Sequence, residues 1–424
     1  MEKERKFLQC ASQVVKASRQ ARLTLVAAIA LTILTPLAQA QTYTVIHNFT
    51  GPGDGQTPLG RLSIDRAGNL YGGTYSGGTK DSGGWGIVFK MSPRGSNWTF
   101  APLFTFTAQT DTEPGNGVLF GPDGSLWGTS SNLGNVFNLK PSPNRPASVL
   151  SPWNINWLFE FPFPTWPSGD VLFDSQGNIY GSTYTGGNHG CFNNEGCGMV
   201  YELTPSAGGW TQTPLYIFQG GADGEGPNGI SWDSDGNLIG TAGQGGAHFD
   251  GIIFKLTRSG NSWNKSTLYD FDCSGSDGCV PETGLTPDGA GNFYGSTVGS
   301  NSYSGVIFEF SPSNGGWIYT KLVQIPPKYQ FGPNAPLTMD GAGNFYGTIG
   351  TRNSNQIPGA VFKLAYGSGG WTFTSLHDFT EGDDGGSPAS TVVMDANGNL
   401  YGTAVYGGAN CHPIGCGVVW EITP

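Results

Sequence analysis

The sequence predicts an all-β protein, a seven-bladed β-propeller in which each blade is a four-stranded antiparallel sheet. Three observations predict it: a repeat of about 55 residues that recurs seven times, strand-like patterns within every repeat, and two chain ends that complete one another. The chain has 424 residues, of which 69 are glycine and only 12% are charged. This composition is typical of a β-protein rich in turns.

Three short elements recur in the same order along the chain, and a fixed period of this kind indicates a repeat architecture. The first resembles Gly-Asn-Leu-Tyr-Gly-Thr, and its central residues are Leu70-Tyr71, Leu126-Trp127, Ile179-Tyr180, Leu238-Ile239, Phe293-Tyr294, Phe345-Tyr346 and Leu400-Tyr401. The second is an apolar run with an aromatic residue, at Phe89, Phe137, Tyr201, Phe254, Phe308, Phe362 and Trp420. The third begins with tryptophan and runs into Leu-aromatic-x-Phe, at Trp98, Trp210, Trp263, Trp317 and Trp371.

Each repeat therefore contains four segments of strand-like composition, separated by Gly, Asn, Asp and Pro turns. In the first repeat we predict strand a at Leu62–Asp65, strand b at Asn69–Thr74, strand c at Ile87–Met91 and strand d at Trp98–Phe106. One such sheet has aromatic residues on both faces and cannot bury them alone. Seven sheets stacked around an axis cover each other, which predicts a propeller.

The chain ends predict how the ring closes. The last repeat stops at strand c, Val418–Pro424, and lacks its own strand d. Thr42–Thr50 matches Trp371–Thr380, the strand d of the sixth repeat, so we expect this N-terminal strand to complete the seventh blade and remove its exposed edge. An open solenoid is the alternative, and the complementary ends argue against it.

The first forty residues have the pattern of a secretory signal peptide. Six basic residues precede an apolar run from Leu23 to Leu37, and Ala38-Gln39-Ala40 provides a small-x-small cleavage site. A membrane anchor is the alternative, but the apolar run is short for a membrane span and Pro36 interrupts it. We therefore predict a signal peptide over residues 1–40, a propeller over residues 41–424, and no membrane insertion after cleavage.

The charge of the expected mature chain excludes some partners. The full chain carries a formal net charge of −11, and its first forty residues hold six basic and two acidic groups. The remainder therefore has 14 basic and 29 acidic groups and a net charge of −15. Nucleic acids and anionic membranes need clustered Lys and Arg, so neither is an expected partner. We expect a monomer.

Six of the seven cysteines lie outside the signal segment, in three close pairs: Cys191 with Cys197, Cys273 with Cys279, and Cys411 with Cys416. An even number in local pairs predicts three disulfides and an oxidising compartment, hence a secreted protein that is extracellular or periplasmic. A zinc site would need closer pairs that converge.

The recurring elements resemble the GloVer-type repeat of exported, "choice-of-anchor" bacterial tandem-repeat proteins. The resemblance rests on Gly-Asn-Leu-Tyr-Gly-Thr, on Val-Phe-Lys-Leu as at Val361–Leu364, and on the run Leu215–Gly224. It implies an exported and often surface-attached protein without an established molecular activity. Many relatives carry a C-terminal sorting segment, whereas this sequence ends at Pro424 within the propeller, so we expect release or periplasmic retention.

The long d–a and b–c loops should share one face of the propeller, and we predict the binding site on this loop face. The candidate ligand-binding residues are those of the d–a loops, Asp54, Asp111, Trp166, Asp223, Asp277, Tyr329 and Asp383. One interpretation is a ring of carboxylates near the channel mouth that binds Ca²⁺ or sugar hydroxyls. The other, which we favour, is that Asp-Gly only builds turns. No other cofactor is expected.

Other candidates are weaker. Asp233–Asn237 begins like a calcium loop but lacks the final glutamate, so it is interpreted as a turn. His47 and His377 occupy the position of Tyr216 and Tyr269, which indicates packing variants. Loop aromatics suited to stack on sugars are Tyr75, Trp85, Tyr184, Phe192, Tyr303 and Tyr406.

The sequence leaves the function between two main classes, with a purely structural surface protein as a third alternative. Regular repeats and the lack of catalytic motifs favour a non-enzymatic binding or adhesion module for a glycan or an extracellular protein. The alternative is a carbohydrate-active hydrolase or lyase with carboxylates at the channel mouth, and the fold alone does not choose between them. No catalytic residue is assigned.

Overall fold

The computed structural model of the protein describes residues 41–79, 84–107, 113–130, 134–142, 153–300, 303–350, 359–411 and 413–424. The predicted signal peptide lies outside these residues. Within Thr42–Thr423 the strands form seven antiparallel sheets, which confirms the seven-bladed propeller. The described residues hold 29 strands and three 3₁₀ helices, at Phe192–Asn194, Gly221–Asp223 and Pro327–Tyr329.

Each blade runs from the innermost strand a to the outermost strand d, as follows. Strand β1 (Thr42–Asn48) belongs to blade 7. Blade 1 contains β2 (Ser63–Ile64), β3 (Leu70–Thr74), β4 (Ile87–Arg94) and β5 (Asn97–Thr105). Blade 2 contains β6 (Leu119–Phe120), β7 (Leu126–Thr129), β8 (Asn135–Pro141) and β9 (Trp153–Glu160). Blade 3 contains β10 (Pro167–Phe173), β11 (Ile179–Thr183), β12 (Met199–Ser206) and β13 (Gly209–Ile217). Blade 4 contains β14 (Glu225–Trp232), β15 (Leu238–Gln244), β16 (Ile252–Ser259) and β17 (Ser262–Asp270).

The remaining blades follow the same order. Blade 5 contains β18 (Thr286–Pro287), β19 (Phe293–Ser300), β20 (Tyr303–Ser313) and β21 (Gly316–Gln324). Blade 6 contains β22 (Thr338–Met339), β23 (Phe345–Ile349), β24 (Ala360–Gly367) and β25 (Gly370–Asp378). Blade 7 contains β26 (Gly386–Pro388), β27 (Val393–Met394), β28 (Leu400–Tyr406) and β29 (Val418–Thr423), with β1 as its strand d. Both β26 and β27 pair with β28, so they are two parts of one innermost strand.

The two chain ends close the ring as predicted. Strand β1 pairs antiparallel with β29 from Thr42 opposite Thr423 to Asn48 opposite Val418. Phe49, which follows β1, is buried, and its backbone N–H donates to the Gly417 carbonyl. The seventh blade is therefore a complete sheet built from both ends of the domain.

The a–b turns have a common local cause. In blade 1 the Asp65 carboxylate accepts hydrogen bonds from the backbone N–H of Ala67 and Asn69, both at 2.9 Å, and from Asn69 Nδ2 at 2.7 Å. Asp233 makes the same bonds with Asp235 and Asn237. Its carboxylate is thus used within its own turn, as the sequence analysis inferred.

Neighbouring blades bury each other's faces and are also joined by hydrogen bonds near the axis. Val88 of blade 1 packs with Val118 and Phe137 of blade 2 in one buried cluster. Thr241 Oγ1 of blade 4 donates to the Thr283 carbonyl of blade 5 at 2.8 Å. These contacts fix the position of each innermost strand relative to the next.

The three predicted disulfides are present. The pairs Cys191–Cys197 and Cys411–Cys416 lie in b–c loops, and Cys273–Cys279 lies in a d–a loop. They indicate an oxidising environment. None of the helices in the described part of the chain has the length and apolar character needed to cross a membrane.

Candidate functional site

A central channel with a volume of about 950 Å³ is the main cavity on which the described blades converge. Each innermost strand begins near a proline, at Pro58, Pro114, Pro167, Pro227, Pro281, Pro333 and Pro388. The residue after that proline lines the channel in every blade: Leu59, Gly115, Ser168, Asn228, Glu282, Asn334 and Ala389. We call these seven positions, with the side chains beside them, the channel mouth. It lies at the loop face, because the d–a loops lead into it.

The channel mouth is not symmetric. Blades 4, 5 and 6 contribute Asn228, Glu282 and Asn334, whereas blades 7, 1 and 2 contribute alanine, leucine and glycine at the same position. The side chains at this one position are therefore polar on one side of the ring and apolar on the other. The backbone positions are equivalent, so the difference comes from side-chain chemistry alone.

Three polar atoms beside the channel are buried and have no hydrogen-bond partner among the described residues: Arg61 Nε, Asn228 Nδ2 and Asn334 Oδ1. A buried polar atom without a partner costs about 1–3 kcal/mol, and such atoms are rare in folded proteins. Two of the three are donors and one is an acceptor. A ligand that completes them must itself both accept and donate hydrogen bonds.

An ion pair joins two blades across the channel wall. Arg61 Nη1 of blade 1 lies 2.5 Å from Asp170 Oδ2 of blade 3, and both side chains are about a third exposed. Glu282 is the other charged residue of the lining, so the lining has one positive and two negative groups.

Aromatic side chains stand at the loop-face end of the channel. Trp166 lines the channel and is 41% exposed, and its carbonyl accepts the backbone N–H of Tyr184 at 2.7 Å. The Tyr184 ring stacks on Phe192 with centroids 4.8 Å apart, and its hydroxyl accepts from Gln244 Nε2 at 3.1 Å. Gly226 makes this possible, since it has a φ of +65° and a Cβ there would lie 2.7 Å from Tyr184 Cε2.

Tyr75 lines the channel on the other side of blade 2 and is also exposed. A hydrogen bond to Glu113, together with burial, raises the pKa of Tyr75 to about 12. Tyr75 therefore keeps its proton at any physiological pH, and its bond to the Glu113 carboxylate holds the ring in place. Aromatic faces thus flank blade 2 at the channel mouth.

Most of the acidic residues predicted for the site lie elsewhere, beside the outermost strands. Asp54 accepts from the backbone N–H of Thr50 at 3.0 Å and lies 3.3 Å from His47 Nε2. Asp223 accepts from Tyr216 at 2.8 Å and forms a 3.0 Å ion pair with Lys265 of the next blade.

Asp277 and Asp384 repeat this arrangement. The Asp277 carboxylate accepts from Tyr269 at 2.5 Å, and Asp384 lies 3.0 Å from His377 Nε2. We call Asp54, Asp223, Asp277 and Asp384 with these partners the outer aspartate network. His47 and His377 do occupy the tyrosine position, as inferred from the sequence.

Two opposing effects act on the pKa of Asp54. Burial acts to raise the pKa of Asp54, but hydrogen bonds from His47 and Thr50 outweigh it and hold the pKa below its ordinary value. Burial raises the pKa of Tyr216 and that of Tyr269 above the ordinary value for tyrosine, and the carboxylate that each hydroxyl contacts raises it as well. The carboxylates of the network are therefore already engaged by protein groups.

The other predicted site residues are distributed as follows. Asp383 is exposed, and the structural equivalent of Asp54 in its loop is the next residue, Asp384. Tyr329 is 1% exposed and donates to Asp378 Oδ1 at 2.5 Å. Asp111 lies outside the described residues. Of the seven candidates predicted in the d–a loops, Trp166 alone belongs to the channel lining, and of the predicted loop aromatics Tyr75 and Tyr184 line it as well. A ligand role for the other candidates stays a prediction.

Two groups of potential metal ligands occur among the described residues, and both contain a disulfide. They are Cys191 and Cys197 with Glu225, and Cys273 and Cys279 with Asp250. A sulfur bonded to another sulfur provides no thiolate, so neither group has the ligands of a thiolate metal centre.

Sequence reasoning missed Arg61, Asp170, Asn228, Glu282 and Asn334. A signal for three of them was present, because the proline that begins each strand a recurs while the residue after it changes. Aligning the repeats on this proline, rather than on the loop aspartates, singles out the polar residues of blades 4, 5 and 6. Arg61 and Asp170 meet only through the curvature of the ring.

Residues 150–349 match the Gloeobacter/Verrucomicrobia repeat family, and no curated protein matches the sequence. A solved structure of the extracellular domain of a protein assigned as a one-component system from B. thetaiotaomicron is 11% identical, over 90% of this chain and 40% of that chain, with a TM-score of 0.52. A chain of the mitotic checkpoint complex is 12% identical, over 91% and 96%, with a TM-score of 0.51. Identities this low show likeness of fold alone.

Proposed function

We propose that the protein, whose residues 150–349 belong to the Gloeobacter/Verrucomicrobia repeat family, is an exported, non-enzymatic module. The geometry of the channel suggests the ligand, a carbohydrate bound at the channel mouth. The observation that carries the proposal is the combination of the exposed Trp166 with three buried polar atoms that have no protein partner. Pockets that orient a ligand pair apolar walls with a few convergent polar groups.

A sugar ring fits both halves of this opening. Its C–H faces pack on aromatic rings such as Trp166 and Tyr75, which have an apolar body and a polar edge. Its hydroxyl groups each donate and accept, which is what Arg61 Nε, Asn228 Nδ2 and Asn334 Oδ1 together require. A purely apolar ligand would leave these three atoms without partners and would bind at a corresponding cost.

Carbohydrate hydrolysis is the second candidate, because two unlike carboxyl groups, Asp170 and Glu282, line the same channel. Hydrolysis requires one acid and one base or nucleophile at the scissile bond. The ion pair between Asp170 and Arg61 favours binding, since it commits one carboxylate to a structural partner. We therefore place hydrolysis second.

The proposal is tested with the mature chain, residues 41–424, on a glycan array followed by titration calorimetry of the sugars retained. We expect binding of at least one neutral glycan and a loss of affinity of about tenfold or more in Trp166→Ala. Phe249→Ala is the matched control, because Phe249 is an exposed aromatic of another loop and should leave affinity unchanged.

Two results would contradict the proposal. One is that no glycan binds while the protein melts cooperatively. The other is that Trp166→Ala and Phe249→Ala behave alike. Release of reducing sugar by the wild type, with its loss in Glu282→Gln, would instead establish the hydrolase alternative.

A further inference from the structure

Exposed aromatic side chains are concentrated in one sector of the propeller. In the described residues the large exposed aromatics are Tyr75, Trp157, Phe163, Trp166, Phe249 and Tyr366. Three of these six, Trp157, Phe163 and Trp166, fall within ten consecutive residues. Isolated exposed aromatics are ordinary, but a concentration of them on one path marks an interaction surface.

The path of the chain takes these residues from the outer edge of blade 2 to the channel. Strand β9, which contains Trp157, is the outermost strand of blade 2, and β10, which begins directly after Trp166, is the innermost strand of blade 3. The connection between them leads from the outer edge to the channel, with Phe163 near its middle and Trp166 at its inner end. Trp157 precedes the connection, within β9, and its ring contacts Phe106 and Phe137.

The b–c connections next to this path differ in length. The connection of blade 2 has only the five residues 130–134, whereas those of blades 1 and 3 have the twelve residues 75–86 and the fifteen residues 184–198. A connection of five residues has a shorter maximum reach than one of twelve or fifteen.

The charge of the protein restricts what can lie there. The expected mature chain has a net charge of −15, and the channel lining has two carboxylates and one guanidinium. An anionic polymer would be repelled over the whole approach. A neutral chain with apolar ring faces and many hydroxyl groups meets no such repulsion.

We infer that the protein binds a linear, neutral oligosaccharide end-on, with its terminal sugar in the channel mouth and the following sugars stacked on Trp166 and Phe163 in the direction of Trp157. The inference rests on the proposed carbohydrate function and extends it from a single sugar to a chain with a defined direction. The channel, at about 950 Å³, has the size of a small-molecule pocket and accommodates only the end of a polymer.

The experiment measures affinity as a function of chain length. Neutral gluco-oligosaccharides and xylo-oligosaccharides of one to six sugars are titrated into residues 41–424 by calorimetry. We expect affinity to rise about tenfold between the shortest ligand that binds and a tetrasaccharide, because each added ring gains an aromatic contact. Phe163→Ala should remove most of this gain for the longer chains and leave the shortest ligand unaffected.

Phe249→Ala is again the matched control, since Phe249 is 70% exposed and Phe163 is 75% exposed, and both lie in loops of the same face. Because Phe163 is so exposed, its removal should not impair folding, and equal melting temperatures verify this. Affinity that does not depend on chain length, or equal effects of the two alanine variants, would overturn the inference while leaving the proposed function intact. If no neutral saccharide of any length binds, both fall together.

Discussion

The outer aspartate network and the channel mouth are built on the same sevenfold repeat, yet they differ in how their polar groups are used. In the network the same Asp recurs and is saturated, as with Asp223 between Tyr216 and Lys265. In the channel mouth the residue type changes from blade to blade, and Asn228 and Asn334 keep polar atoms without protein partners. A residue that recurs in the repeats and has all its hydrogen bonds made by protein groups therefore indicates a structural role. A position whose residue type varies and whose polar atoms lack protein partners indicates a ligand site.

The largest expected effect comes from breaking the ring itself, on which both regions depend. Deleting residues 41–50 removes β1, exposes the edge of β29 and takes away Tyr43, whose ring stacks on His377 and whose hydroxyl donates to the Asp384 carbonyl. We expect the melting temperature to fall by about 10 °C or more, since loss of a seven-residue strand removes several kcal/mol. Calorimetric melting of chains that begin at residue 41 and at residue 51 measures this.

Trp166→Ala is the control for the deletion, because it alters the channel mouth and leaves the ring closed. It should melt like the wild type. An unchanged melting temperature in the deleted chain would show that the β1–β29 pairing does not hold the ring together.

The next effect tests whether the outer aspartate network is structural. Asp223→Ala leaves the Lys265 ammonium, whose side chain is 6% exposed, without its carboxylate. The ammonium keeps the Asp223 carbonyl and Thr267 Oγ1 as acceptors, so loss of the carboxylate should cost about 1–3 kcal/mol. Urea unfolding should show this loss, whereas Asp383→Ala, at an exposed carboxylate in a comparable loop, should change stability by less than about 0.5 kcal/mol.

Sugar affinity provides the second measurement for these two variants. If the network has only a structural role, folded Asp223→Ala binds like the wild type. Weaker sugar binding by fully folded Asp223→Ala would instead support the role as a ligand residue that the sequence predicted for Asp223.

The same contrast explains how far the sequence could predict the molecule. Seven copies of one pattern fixed the number of blades, and the missing strand d after Val418 identified Thr42–Asn48 as its replacement. The position of Asp384 was also within reach, because Thr380 precedes it by four residues just as Thr50 precedes Asp54. Counting from strand d, rather than searching for Asp near Pro, would have selected it.

The channel residues were harder to predict because they do not recur from one repeat to the next. Neither Arg61 nor Asp170 has a counterpart in the other repeats, and they are 109 positions apart. The curvature of the ring brings the guanidinium of blade 1 to the carboxylate of blade 3. A chemical pattern that occurs once cannot be recognised by a method that looks for recurrence.

A smaller effect should separate binding from stability in the channel itself. Asp170→Asn removes the charge opposite Arg61, and because both side chains are about a third exposed, stability should fall by less than about 1 kcal/mol. Sugar affinity should fall about tenfold, since the Arg61 fork loses the partner that orients it. Calorimetric titration and urea unfolding of the same preparation separate the two effects, and a large loss of stability with unchanged affinity would assign the pair to the fold.

The smallest effect is the pH dependence of the network. The folded pKa of Asp54 lies below its ordinary value, so its ionised form is favoured by folding. Its contribution to stability is fully present above the unfolded pKa of about 3.9 and is lost as the pH falls through the lower folded value. The melting temperature of Asp54→Asn should therefore lie below that of the wild type near pH 6, and the two should converge as the pH approaches 3.

Asp383→Asn serves as the control, because the exposed Asp383 carboxylate makes none of these contacts. Its melting temperature should follow that of the wild type at every pH. The prediction fails if the melting temperatures of Asp54→Asn and the wild type differ by the same amount at every pH. The bonds from Thr50 and His47 would then not depend on the charge of Asp54. In that case the network stabilises the blades through packing and not through its carboxylates.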